Sequence, residues 1–208
     1  MANFDRNDNR TAENPFFNWA KPYFDFVGRG KIYSLVYVIM AFFNLVLPVA
    51  VIIAVMVTGL LQDAGPRIIT AFILSWLVIA FASWIGFQLW WTRKLNLKRF
   101  ESADFIATPV ISEILQTFGE WVGTFIGILG IGIGITLTIL LWDLPGYYIG
   151  FGFSFFEMLS RFGPAIIILG PVTGFFIIII FRFFAEQIRI FSAIANNTRE
   201  IARNLRKQ

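Results

Sequence analysis

Two glutamates seven residues apart, Glu113 and Glu120, stand at the head of a run of glycines, and a lone asparagine, Asn44, falls in the middle of an apolar stretch. These are the side chains whose types and spacing suit chemistry. A carboxylate at a membrane boundary can line a pore mouth or form an ion pair, and an amide inside an apolar segment can bond across helices or line a solute path. The chain has no histidine and no cysteine. It therefore lacks the usual general base, the commonest metal ligand, the thiolate nucleophile and the disulfide. No intramembrane aspartate pair and no carboxylate cluster of metal-binding spacing takes their place, so the expectation is a protein that is not an enzyme and needs neither cofactor nor metal. The alternating glycines 130, 132 and 134 lack the preceding strand and following acidic residue of a dinucleotide fingerprint, and the Lys-Ser/Thr of a phosphate loop. They share only their alternation with a potassium filter.

The elements that must position these residues are apolar helices. Of 208 residues, 57% are apolar and 14% charged, against about 25% charged in a soluble domain. Four runs, at about 32–61, 68–91, 121–142 and 163–182, are each long enough to cross about 30 Å of hydrocarbon at about 1.5 Å per helical residue. The first contains Asn44 and Pro48 and is longer than an upright crossing requires, which predicts tilt, a kink at Pro48 or a start in the interface. Gly65 and Pro66 open the second, and Asp143, Pro145 and Gly146 stop the third. The fourth contains Pro171 and turns charged at Arg182. The predicted fold class is all-α: a polytopic membrane protein with four transmembrane helices, an N-terminal interfacial segment and a C-terminal amphipathic helix. Residues 1–14 are polar and of mixed charge, the composition of a flexible tail. Residues 15–31 crowd Phe16, Phe17, Trp19, Tyr23 and Phe24 among charges, which suits the headgroup layer or packing against the chain's own helices. The ring-rich loop 143–162 is expected in the outer interface.

Basic residues set the orientation. Fifteen of the seventeen lie in the N-terminal segment, in the middle loop (Arg93, Lys94, Lys98, Arg99) or from Arg182 onward, and the other two are Arg67 and Arg161. This asymmetry predicts both termini and the middle loop on the cytoplasmic side of a bacterial inner membrane. Because the cations flank spans, the expected partners are the lipid bilayer and other membrane subunits or copies of the same chain, and not nucleic acid. No Asp, Glu, Lys or Arg falls in the apolar centre of the four runs, which argues against a proton relay or ion-coupled carrier.

Glycines mark a packing face. Gly119, Gly123, Gly127, Gly130 and Gly134, with Gly132 between the last two, let a second backbone approach closely where lipid offers no hydrophobic drive to associate. Glu113, Glu120, Gly127 and Gly134 share one stripe at seven-residue intervals. The stripe fits a contact between copies, around a pore mouth or not, and equally a contact within one copy. In the segment 183–208, Phe184, Ile188, Phe191, Ile194, Ile201 and Leu205 recur at helical intervals opposite Arg189, Arg199, Arg203 and Arg206. That is an amphipathic helix continuing the fourth span, suited to the anionic membrane surface or to self-association.

Several of these groups carry a likeness. Phe24-Asp25-Phe26 followed by Tyr37, with Arg182-Phe183-Phe184-Ala185-Glu186, Ile190-Phe191 and Asn196-Asn197-Thr198-Arg199-Glu200-Ile201 at the other end, resembles a family of small bacterial multi-pass membrane proteins catalogued as a domain of unknown function. The likeness covers the two ends of the chain. Members of that family carry two spans and this chain four, so the central region 113–142 has no counterpart in it. The resemblance implies a bacterial inner-membrane protein with a cytoplasmic basic tail, and no activity. Together these readings lead to the expectation of a structural or accessory subunit of a membrane assembly, alone or as a homo-oligomer, with a passive channel or lipid-binding pore as the alternative. Topology reporters fused after Gln208 or within 93–113 should read cytoplasmic, and those within 62–67 or 143–162 external; a cytoplasmic signal from 143–162 would overturn the four-span arrangement.

Overall fold

The computed structural model describes residues 31–62, 64–96, 107–141 and 162–206, which form four helices with no strand among them. The expected N-terminal tail and aromatic segment, the centre of the middle loop and the ring-rich loop lie outside the described residues. The helices are α1 (Lys31–Thr58), α2 (Pro66–Asn96), α3 (Ala107–Leu140) and α4 (Gly163–Leu205). All four are long and apolar enough to cross a membrane. Their outer surface is built from large apolar side chains such as Ile39, Phe42, Leu77, Phe81, Ile139, Ile168 and Phe175. The buried positions are instead held largely by Ala41, Ala71, Ala82, Ala185, Asn44, Ser112 and Thr117. This inversion follows from the solvent: lipid tails compete equally well for aliphatic surface, so small and polar groups hold the helices together. The chain is an all-α, multi-pass membrane protein.

The helix ends depart from the apolar runs for identifiable reasons. α1 stops at Thr58, before the end of its apolar run, because Gly59 adopts φ +65°. Its N–H donates to the Met56 carbonyl and that of Leu60 to the Val55 carbonyl, the reciprocal pair that terminates a helix at a left-handed glycine. Pro66 opens α2, where its missing N–H has no helical partner to lose. α3 begins at Ala107, well before Trp121 where the apolar count starts the third span. Glu113 and Glu120 thus lie inside the helix, and ion pairs to neighbouring helices offset the burial of their charges. α4 runs unbroken through Pro171 for 43 residues, about 64 Å at helical rise, so the fourth span and the amphipathic tail are a single element.

Each helix packs against the next, and the α3–α4 pair is the most extensive. Its closeness is set by glycines on both sides. A Cβ added at Gly130 would lie 2.6 Å from Gly170 Cα, and one at Gly134 3.0 Å from the Ile167 backbone nitrogen. Gly123 meets Gly174 at the backbone, and Gly119 lies under the Phe181 ring. The face that the sequence left open between partners is thus occupied by α4 of the same chain. Gly132 differs, pointing at Val78 of α2. Gly163, Gly170 and Gly174 complete the contact from the α4 side. Because the obstacle at Gly130 is backbone, Gly130→Leu should cost about 2–3 kcal/mol through overpacking, read as a lowered melting temperature in mild detergent. Ile139→Leu, on an exposed position, should leave melting unchanged, and equal melting of the two variants would refute the close contact.

Candidate functional site

The polar side chains gather where the apolar lengths of α2, α3 and α4 end. Arg93 closes the apolar length of α2, Glu120 opens that of α3 and Arg182 follows that of α4. Antiparallel packing brings the three to one level. Glu120 is 8% exposed and its carboxylate is fully engaged. Oε2 accepts from Arg93 at 2.6 Å, and Oε1 accepts from Arg182 Nε and a terminal nitrogen at 3.2 and 2.9 Å and from Gln116 Nε2 at 2.9 Å. One turn-pair further along, Glu113 accepts from Arg93 and, at 3.0 Å, from Arg189. Arg189 also donates to Gln116 Oε1 at 2.8 Å and Ser112 Oγ at 3.2 Å. Three guanidiniums and two carboxylates thereby tie α3 to both neighbours. Guanidinium groups suit this role because their fixed fork serves two acceptors at once without losing charge.

A second polar junction lies deeper, between α1, α2 and α3. Asn44 is fully buried; its Nδ2 donates to the Met40 carbonyl at 2.7 Å and its Oδ1 accepts from Trp121 Nε1 at 2.8 Å. Gly86 of α2 permits this, since a Cβ there would sit 2.8 Å from both Asn44 Cγ and Trp121 Nε1. Around the junction Trp90 stands edge-on to Tyr37 at 5.3 Å and to Trp121 at 6.2 Å. Tyr37, also fully buried, faces Thr117. Nearer the far side, Trp76 Nε1 donates to the Pro48 carbonyl at 2.9 Å. Thr136 and Thr138 donate to carbonyls one turn back on their own helix.

The residues singled out in the sequence sort clearly. Glu113, Glu120 and Arg189 come together in one network, and Asn44 belongs to the deeper junction. Arg189, expected on the membrane surface or in self-association, instead reaches back to α3, because it faces Glu113 across the α3–α4 contact. Phe191, Ile194, Arg199, Ile201 and Arg203 lie beyond that contact and are exposed. The sequence offers Arg93 only as an orienting loop cation, Arg182 as the charged end of the fourth run and residue 121 as the start of the third, yet Arg93, Arg182 and Trp121 are the partners of Glu120 and Asn44. A carboxylate level with a span boundary is costly without such a cation. Among the described residues no group of His, Cys, Asp and Glu could hold a metal ion. Comparison with protein-family models, curated proteins and solved structures finds no match to this chain.

Because both Glu120 oxygens are held by arginines of different helices, Glu120→Gln should destabilise the fold by about 2–3 kcal/mol, less than the about 3–5 kcal/mol of a fully buried pair, since the Arg182 side chain is 56% exposed. Glu113→Gln should cost about half as much, and Asn44→Ala about 1 kcal/mol through the lost interhelical bond. Thermal unfolding in one detergent checks this order, and a Glu120→Gln protein that melts like the parent would show that the network contributes nothing.

Proposed function

We propose that this chain is a non-enzymatic structural or accessory subunit of a bacterial inner-membrane assembly, with both termini in the cytoplasm. The observation that carries the reading is the engagement of Glu113, Glu120 and Asn44 by side chains of neighbouring helices. Each Glu120 oxygen is held by a guanidinium group, Glu113 bridges Arg93 and Arg189, and Asn44 bonds Trp121. A solute path or a proton relay needs polar groups facing a shared route. The groups present here brace helices instead. Polar bonds and close backbones make a rigid four-helix unit in lipid, which suits a scaffold. The basic residues beside the charged ends of α2 and α4 orient the unit with that end inward.

Purification from native membranes in mild detergent, followed by mass measurement, tests the proposal: the chain should run as a multimer or with other membrane subunits. A lone monomer would overturn the reading. Selective conductance after reconstitution into liposomes would overturn it in favour of a channel.

A further inference from the structure

The part of α4 beyond Arg189 runs on past its last bonds to α3, and it keeps an apolar edge interrupted at Thr198. Phe191, Ile194, Ile201 and Leu205 are 67, 56, 60 and 66% exposed. With Phe184 and the polar pair Gln187 and Thr198, they fall at strictly alternating three- and four-residue steps from 184 to 205. That is three heptads of a and d positions, the repeat of a left-handed coiled coil. The edge lies on the side of α4 away from the face that carries Gly163, Gly170, Gly174 and Phe181 toward α3. A partner can therefore reach it without displacing α3.

We propose that this edge is the seam of a parallel, in-register coiled coil between α4 helices of several copies of this chain, which rests on the assembly role above and names its partner. Lipid does not cover the seam. From Arg182, the boundary charge of α4, Ile194 is about 18 Å and Leu205 about 35 Å further along an unbroken helix, while the headgroup layer adds only about 5–8 Å to each side of the hydrocarbon. Even a tilt of about 40° leaves both beyond it. Membrane insertion supplies the register, because every copy leaves the bilayer at the same residue. Gln187 then meets Gln187 and Thr198 meets Thr198, polar layers that match only in the aligned pairing. The positions flanking the distal seam are uncharged and small, Ala195 and Ala202 on one side and Asn197 and Asn204 on the other. Flanking charges are what select a different partner or repel a like one. Here the charges Glu186, Arg189, Glu200 and Arg203 all sit off the seam, so identical copies meet without like-charge opposition.

The chain has no cysteine, so single substitutions report contacts without background. In native membranes, Ile194→Cys and Ile201→Cys on the seam should form covalent dimers on mild oxidation at about ten times the yield of Asn196→Cys and Arg203→Cys on the far side, since only seam positions bring Cα atoms within disulfide reach. Adding Ile194→Glu to the Ile201→Cys variant should abolish its dimer while leaving the α3–α4 unit's melting unchanged. Equal yields on both sides, or no seam dimer although the chain still purifies in a larger complex, would overturn the seam and leave the assembly role standing. A chain that is monomeric in the same preparation would overturn both. Seam cysteines that resist maleimide in a monomer, and become reactive when residues 1–30 are deleted, would give the seam to the chain's own N-terminus and likewise overturn the proposal.

Discussion

A carboxylate at the edge of the hydrocarbon is stable only if cations meet it, and Glu120 is met from both sides. Arg93 arrives from α2 and Arg182 from α4, and each closes the apolar length of its own helix. The demand of one buried charge therefore sets the relative height of three helices. A slip of one turn along α4 would carry Arg182 about 5.4 Å away and leave Glu120 desolvated and half-paired, which is the costly state for a buried ion. The pairs contribute alignment more than net stability, because removing two charges from water offsets much of their attraction.

Close approach of α3 and α4 is the second constraint, and it depends on the first. Glycines at 123, 130 and 134 facing 174, 170 and 163 allow the backbones to touch only at one longitudinal setting. The ion pairs at the charged end hold that setting, and the glycine contact in turn brings Arg182 and Arg189 within reach of the carboxylates. Deep in the unit, Asn44 and Trp121 supply a directional bond where aliphatic packing gives none. Gly86 and Asn44 are mutually dependent in the same way, since any side chain at 86 would expel the amide. The result is a unit whose polar interior serves geometry.

α4 links this unit to whatever lies outside it. One face is committed to α3 up to Arg189, and the opposite edge continues beyond the membrane boundary as a heptad. An unbroken helix transmits position rigidly, so the register imposed by Glu120 inside the membrane also fixes where the exposed edge begins. The same constraint that holds three helices level would hold the tails of neighbouring copies level.

Length and hydropathy were enough to read four spans, since about 20 apolar residues in a row have few structures open to them other than a membrane helix. The amphipathic continuation of α4 was equally legible, because periodicity is a local property of the chain. Glycine spacing marked a face on α3 without naming what covers it, as any close helix satisfies the same small residues. Partnership is where the sequence stopped. Arg93, Arg182 and Arg189 are separated from their carboxylates by 20 to 76 residues, and nothing local distinguishes a topology-setting arginine from one that neutralises a buried acid. Trp121 likewise marks only the start of the third apolar run in the sequence, and the fold places Asn44, 77 residues away, against its indole N–H. Only the tertiary structure decides these pairings, because the cost of an unpaired buried group becomes specific once the fold determines which group is near enough to relieve it.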